Sequence, residues 1–292
     1  MAVKKEKRHF GDRPDGKLIK NLDPMHVITP VLYPNRCDNE AYFSIRVDMD
    51  PIRKYLEKIN KDEKEFPYTA FHIIVTAMIK TLTLRPKLNR YVANKLMYQR
   101  NEVSVSFVVK KLFADDGAEA LAIIHAQDDD TIQSIHKKLF DQISSGRSDK
   151  LDTSSNSMDI VSHMPRRLMR AFCEFCCFLD KIGKCPKVLI GSDPYYTSMV
   201  LSNLGSLKLD AGYHHLTNWG TCSLMGIVGQ FKEVPQIKED GSVEFKECID
   251  IGITLDERLS DGYYCAKTVR LIKKILADPS VLELPMNAEI EY

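Results

Sequence analysis

Apolar and polar residues alternate in several short runs of the chain, which is the pattern of half-buried β-strands. The first is AYFSIRVDMD, in which Phe43, Ile45 and Val47 recur at every second position. Further strand patterns follow in the order EVSVSFVVKK, EALAIIHAQ, YYTSMVLSNLG, TCSLMGIVGQ and VEFKECIDIGITL. A turn at residues 239–241 separates the last two.

Apolar residues at helical spacing predict helices between and after these strands. One begins at Asp50 and Pro51, and a longer one runs from about residue 68 to 84 and ends before Pro86. Another follows the acidic residues 128–130, where negative charge favours a helix N-terminus. The last covers residues 262–277, and Pro279 closes it.

The order of these elements bears on the fold class and the domains. Strands and helices mix without a regular β-α-β alternation, which predicts an α+β fold with helices packed on a mixed sheet. We expect residues 1–24 to form a polar arm and residues 25–292 a single domain. The polar stretch SSGRSDKLDTSSNS is linker-like, but the apolar helix and strands beyond it favour an insertion near 148–190 within that domain.

Composition and charge narrow the classes of function. In 292 residues, 41 Lys and Arg balance 40 Asp and Glu, so no global positive field would hold nucleic acid. No apolar run of about 18 residues predicts a membrane span, and the first residues lack the pattern of a signal peptide. We therefore expect a cytoplasmic protein with neither a nucleic acid nor a membrane as partner. The eight scattered cysteines fit a reducing compartment.

The stretch CEFCC places Cys173 and Cys176 at the spacing of a metal-binding pair. No second pair follows at zinc-site spacing, and apolar residues recur around it with a helical period. The sequence therefore predicts buried thiols on an apolar helix face and no metal, with a structural metal as the alternative.

The stretch LDERLSDGYYCAK, residues 255–267, resembles the C-terminal signature of the chloramphenicol acetyltransferase-like superfamily. Its catalytic Asp-His-Arg-x-x-Asp-Gly motif is matched except that Glu257 replaces the histidine. Three further stretches match in the same order. They are EAYFSIRVDMDPIRKYLEKI, FPYTAFHIIVTAMIKTLTLRPKLN, and MVLSNLGSL with the SLMGIVGQ strand after it. The closer resemblance is to the dihydrolipoamide acyltransferase cores of 2-oxoacid dehydrogenases, over residues 30–285.

This resemblance implies a chloramphenicol acetyltransferase-like fold, a homotrimer and acyl transfer between coenzyme A and a small thiol or hydroxyl acceptor. A histidine would take the acceptor's proton and a hydroxyl would stabilise the oxyanion. The alternative is a catalytically inactive protein of the same fold that binds acyl-CoA or a partner without turnover.

Six residues are candidates for the site. Glu257 could act as a base if burial raised its pKa, or could make only a structural contact. His214 and His215, in the polar aromatic stretch YHHLTNWG, could replace the missing base or be held by backbone carbonyls. Ser202 matches the family's Ser-Asn-Leu-Gly and could bond the oxyanion. Arg36 and Asp261 are expected to form a buried ion pair that fixes the loop.

Overall fold

The computed structural model of the chain describes residues 9–62, 65–110, 119–147, 161–186, 190–191 and 193–292. The strands are β1 (Gly16–Leu18), β2 (Glu40–Asp48), β3 (Arg90–Ala93), β4 (Leu96–Arg100), β5 (Val103–Lys110), β6 (Glu119–Ala126), β7 (Met199–Asn203), β8 (Leu224–Ile237) and β9 (Val243–Asp256). The helices are α1 (Pro24–Leu32), α2 (Asp50–Ile59), α3 (Ala70–Leu84), α4 (Ile132–Arg147), α5 (Arg166–Lys181) and α6 (Gly262–Ala277).

The centre of the fold is a six-stranded sheet with the strand order β2-β9-β8-β7-β5-β6. Strands β5, β7 and β8 pair in parallel, and the remaining pairs are antiparallel. The sheet is therefore mixed, as predicted. The long hairpin of β8 and β9 turns at residues 238–242, also at the predicted place.

Helices pack on one face of this sheet and enclose the core. The predicted long helix is α3, and every residue from 72 to 82 is buried because other elements surround it. Its apolar side chains meet those of α4, α6 and the sheet in one cluster. The helices α2, α4 and α6 likewise confirm the helical spacing read from the sequence.

Part of the predicted N-terminal arm has regular structure. Strand β1 lies within residues 1–24 and pairs with β4, which also pairs with β3 in a small antiparallel sheet. Gly16 allows this pairing, because a Cβ there would lie 2.5 Å from the hydroxyl of Tyr91. Most of the linker-like stretch lies outside the described residues, as do residues 111–118 between β5 and β6.

The apolar helix expected after the linker is α5, but the prediction of buried thiols holds for one of its cysteines alone. Cys176 is buried, whereas Cys173 and Cys177 are exposed. The prediction is wrong for Cys173 because only a narrow side of the helix, which includes Cys176, is buried against the rest of the protein. Within the described ranges, no group of three or more potential ligands could hold a metal ion.

Candidate active site

A cavity of about 150 Å³ lies against the three parallel strands of the sheet. Alternate residues of a strand point to the same face, so each strand contributes a pair of side chains. These pairs are Ser106 and Val108, Val200 and Ser202, and Met225 and Ile227. Tyr195 and His214 complete the rim. Two of the predicted site residues, Ser202 and His214, are thus brought together in one cavity.

The loop that carries the histidines follows β7 and crosses the sheet closely. The amide of Gln230 donates to Leu209 O over 2.8 Å. A Cβ at Gly252 would lie 2.0 Å from the carbonyl oxygen of Gly212, so only glycine allows the loop to approach β9 there. Beyond the histidines, the amide of Leu216 donates to the carboxylate of Glu40. The loop is therefore held on both sides of His214.

The hydrogen bonds of the two histidines fix their tautomers. His214 Nδ1 lies 2.9 Å from the carbonyl oxygen of His215, and His215 Nδ1 lies 2.9 Å from that of Leu216. Because a carbonyl oxygen only accepts, each Nδ1 carries the proton, and Nε2 holds the lone pair in the neutral ring. The rings stack with their centroids 4.7 Å apart. His214 is the member of the pair that lines the cavity, with the tautomer a general base needs.

The two serines of the cavity differ in their hydrogen bonds. Ser106 is buried, and its Oγ lies 2.9 Å from Thr197 Oγ1. Ser202 is half-buried, and within the part of the chain that the structure describes its Oγ has no hydrogen-bond partner. The hydroxyl that can donate to a ligand is therefore that of Ser202.

Sequence reasoning did not identify Ser106 and Tyr195 as cavity residues. For Ser106 a signal existed, because EVSVSFVV places serines on the strand face opposite the apolar residues. Tyr195 gave no such signal. It lies in a short turn whose position depends on the loop after the histidines.

That turn is bonded to the histidine loop by its backbone and side chains. Asp193 accepts from the amide of Tyr195 over 2.9 Å and from Trp219 Nε1 over 2.6 Å. The amide of Thr221 donates to Tyr195 O over 2.7 Å. Burial raises the pKa of the Asp193 carboxyl, while the bond from Trp219 acts in the opposite direction. These contacts fix one wall of the cavity relative to the loop.

Glu257 stands apart from the cavity. It begins a 3-10 turn directly after β9, and its amide donates to the carbonyl oxygen of Asn39 over 2.9 Å. Its side chain is exposed, and among the described residues its carboxylate has neither an ion pair nor a hydrogen bond. The expected structural contact is therefore made by the backbone of Glu257 and not by its side chain.

The predicted ion pair between Arg36 and Asp261 is wrong. Asp261 is exposed and caps α6, because its Oδ1 accepts from the amide of Tyr264 over 2.7 Å. A helix N-terminus offers free amides to such a carboxylate, which turns Asp261 away from the core.

The aspartate that faces Arg36 is Asp256, at the end of β9. Asp256 is 0% exposed and accepts from Arg258 at both oxygens, over 2.8 Å to Nε and 2.6 Å to Nη2. Arg36 Nε lies 4.0 Å from its Oδ2. Arg36 also donates to the carbonyl oxygens of Thr217 (2.6 Å) and Gly220 (3.1 Å), which follow the histidines. Burial lowers the pKa of Arg36. Arg36 is therefore the anchor for the far end of the histidine loop.

Several solved structures of other proteins share the fold of this chain. A dihydrolipoamide acetyltransferase from Azotobacter vinelandii has a TM-score of 0.60 at 13% identity, over 92% of this chain and 95% of that chain. A probable dihydrolipoamide acetyltransferase from Listeria monocytogenes has a TM-score of 0.57 at 14% identity, over 89% of this chain and 94% of that one. A chloramphenicol acetyltransferase has a TM-score of 0.51 at 9% identity, over 89% and 99%. No protein-family model and no curated protein sequence matches the chain.

The chain thus has the mixed-sheet fold shared by chloramphenicol acetyltransferase and the dihydrolipoamide acetyltransferase cores. This confirms the α+β class and the resemblance drawn from the four ordered motifs. At these identities the comparison establishes the fold alone.

Proposed function

We propose that this protein is an acyltransferase that moves an acyl group between coenzyme A and a small thiol or hydroxyl acceptor, with His214 as its base. The observation that carries the proposal is the cavity shared by His214, in the required tautomer, and Ser202, with an available hydroxyl. The fold supports it, because neighbours in structure are named as acetyltransferases.

Each residue has a defined part in this reaction. His214 Nε2 takes the proton of the acceptor while the acceptor's sulfur or oxygen bonds to the thioester carbonyl carbon. Ser202 Oγ donates to the carbonyl oxygen as negative charge develops there. As the bond from that carbon to the sulfur of coenzyme A breaks, the imidazolium returns the proton to the coenzyme A sulfur, and His214 is neutral again.

The cavity fits the reacting end of such a substrate. Its volume of about 150 Å³ equals that of an apolar protein cavity known to hold benzene, about six non-hydrogen atoms. Val108, Val200 and Ile227 supply apolar walls for a short acyl group or a small acceptor. A whole coenzyme A molecule is far larger, so its nucleotide would lie outside.

We further propose a cytoplasmic homotrimer. One neighbour in structure is described as the cubic core of the pyruvate dehydrogenase multienzyme complex, so that protein assembles through this fold. In this chain, α1 and the β8–β9 hairpin expose large apolar side chains that a second subunit could cover, among them Met25, Leu32, Ile237 and Phe245.

The alternative, an inactive protein that binds acyl-CoA without turnover, is favoured by one observation: Glu257 is exposed where the resemblance places the catalytic histidine. The two candidates differ only in turnover. Both require that the site bind an acyl-CoA.

The test is the release of free coenzyme A from acetyl-CoA and bulkier short acyl-CoAs with thiol and hydroxyl acceptors, together with acyl-CoA binding by calorimetry. Active wild type and a His214→Gln variant slowed about 10²-fold or more would support the proposal. His9→Gln, which changes an exposed histidine outside the site, is the matched control. Binding without turnover would favour the inactive alternative, and neither binding nor turnover would contradict both.

A further inference from the structure

Helix α5 presents an apolar stripe to solvent. Leu168, Ala171, Phe175, Phe178 and Ile182 follow one another at intervals of three and four residues, so they lie along one side of the helix. Leu168, Phe175 and Phe178 are 58%, 56% and 56% exposed, and Ile182, just past the helix end, is 45% exposed. Phenylalanine side chains exposed in such a row are unusual on a monomer surface unless something covers them.

The same helix is fixed to the body of the protein by another side. Cys176 is buried, and Asp180 accepts from Arg13 Nη2 over 2.6 Å and from the hydroxyl of Tyr196 over 2.9 Å. At 100° per residue, Cys176 and Asp180 lie on a different side of α5 from the stripe, so the exposed row is not needed to hold the helix in place. Gly183, with φ of +67°, ends the helix beside Arg13.

Basic residues flank the stripe on its other side. Arg166, Arg167, Arg170 and Lys181 are exposed, and Lys184 follows the helix. Residues 161–186 contain these five basic residues and two acidic ones. Of the acidic residues, Asp180 is paired with Arg13, and Glu174 lies 2.8 Å from Arg170 Nε. The exposed surface around the stripe is therefore positively charged, although the whole chain is close to neutral.

We propose that α5 docks on the surface of an anionic lipid bilayer, with the stripe in the interface and the basic flank at the headgroups. An apolar row rich in Phe and Leu beside Arg and Lys, on a helix of low mean hydropathy, is the pattern of helices that lie in the membrane interface. The positive charge favours a bilayer over a second copy of the chain as the partner that covers the stripe. A second copy of α5 would bring basic residues against basic residues, whereas anionic lipid complements them. This site is independent of the proposed acyl transfer.

Docking of α5 on a bilayer gives the protein a membrane partner, which differs from the expectation that it has none. That expectation rested on the lack of a spanning segment, and within the described ranges no helix is long and apolar enough to cross a bilayer. A helix that lies on the surface needs neither property.

The experiment is co-sedimentation of the full chain with vesicles of phosphatidylcholine alone and of phosphatidylcholine mixed with phosphatidylserine. We expect binding to the mixed vesicles, weakened by high salt. Combining Phe175→Ser and Phe178→Ser should weaken it at least tenfold, since each buried phenylalanine contributes strongly. Tyr263→Ser, which changes an exposed aromatic residue of α6, is the matched control and should bind as wild type.

A second pair of variants tests the charge. Combining Arg166→Gln and Arg167→Gln should weaken binding about twenty-five-fold, because each basic residue near an anionic surface strengthens binding about fivefold. Lys273→Gln with Lys274→Gln, exposed on α6, should have no such effect. Circular dichroism and acyl-CoA binding of each variant separate loss of docking from loss of fold or of the cavity.

Two results would overturn the proposal. The first is wild type that stays in the supernatant with the mixed vesicles, or that sediments equally with neutral ones. The second is a wild type that does not bind vesicles, together with a double phenylalanine variant whose oligomeric state, measured by light scattering, differs from that of wild type. This would assign the stripe to a contact between copies of the chain.

Discussion

Replacing Asp256 by asparagine is expected to be among the most destabilising changes of charge in this protein. Asp256 is 0% exposed and accepts from Arg258 at both oxygens, and Arg36 lies within 4.0 Å. The amide keeps the volume of the side chain and removes its charge. Two buried guanidinium groups then remain without a carboxylate.

Removing one partner of a buried ion pair costs about 3–5 kcal/mol, because the other charge stays buried and uncompensated. We expect Asp256→Asn to fall in this range, a large part of the roughly 5–15 kcal/mol that stabilises a typical domain. The control is Asp141→Asn, which removes an exposed pair with Lys137 and should cost less than about 1 kcal/mol.

Urea unfolding measures both variants, followed by circular dichroism and by the fluorescence of Trp219, the single tryptophan. Trp219 lies in the loop that Arg36 anchors, so its signal reports the loop and circular dichroism reports the whole fold. If Asp256→Asn costs no more than Asp141→Asn, the carbonyl oxygens that Arg36 and Arg258 contact satisfy both charges, and the role assigned to Asp256 is wrong.

Three further predictions concern the site and the core. Ser202→Ala should lower kcat of acyl transfer about 10²- to 10³-fold with little effect on stability, since it removes the proposed oxyanion donor. The hydroxyl of Ser106 bonds that of Thr197, so Ser106→Ala should mainly lower stability. Equal losses of kcat in the two variants would contradict the role of Ser202. Gly252→Ala should displace the histidine loop and reduce both stability and activity, because its Cβ would lie 2.0 Å from Gly212 O, whereas Gly262→Ala, with open space around it, should leave both unchanged. Burial lowers the pKa of His72 to about 4 in the folded protein, whereas in the unfolded chain it is about 6.5. As the pH falls from about 6.5 to 4, the unfolded chain therefore binds a proton at His72 that the folded protein does not, and stability drops by roughly 3 kcal/mol. Urea unfolding across this range should show a smaller drop for His72→Asn, and an unchanged drop would refute it.

Local patterns in the sequence predicted most of the elements. Alternation identified β2 and the β8–β9 hairpin, and helical spacing identified α3 and α6. Strand β1 was missed because three residues are too few to show a period. The pairing of β5 with β7 joins segments far apart in the sequence, and a local pattern contains no information on it.

The sequence predicted individual candidate residues of the site but not how they are arranged in space. Ser202 and His214 were both candidates, and the structure adds that they share a cavity. The partner of Arg36 was misassigned because Asp256 and Asp261 are only five positions apart in the sequence. The difference depends on the backbone, since Asp256 still ends a buried strand and Asp261 already caps a helix.

The identity of the base is the central claim, and the direct measurement is kcat/KM for acyl transfer in His214→Gln, His215→Gln and Glu257→Gln compared with wild type. We expect a loss of about 10²- to 10⁴-fold for His214→Gln and of less than about tenfold for the other two variants. A large loss for Glu257→Gln together with near-wild-type activity for His214→Gln would contradict it, because the carboxylate would then be the group that takes the proton.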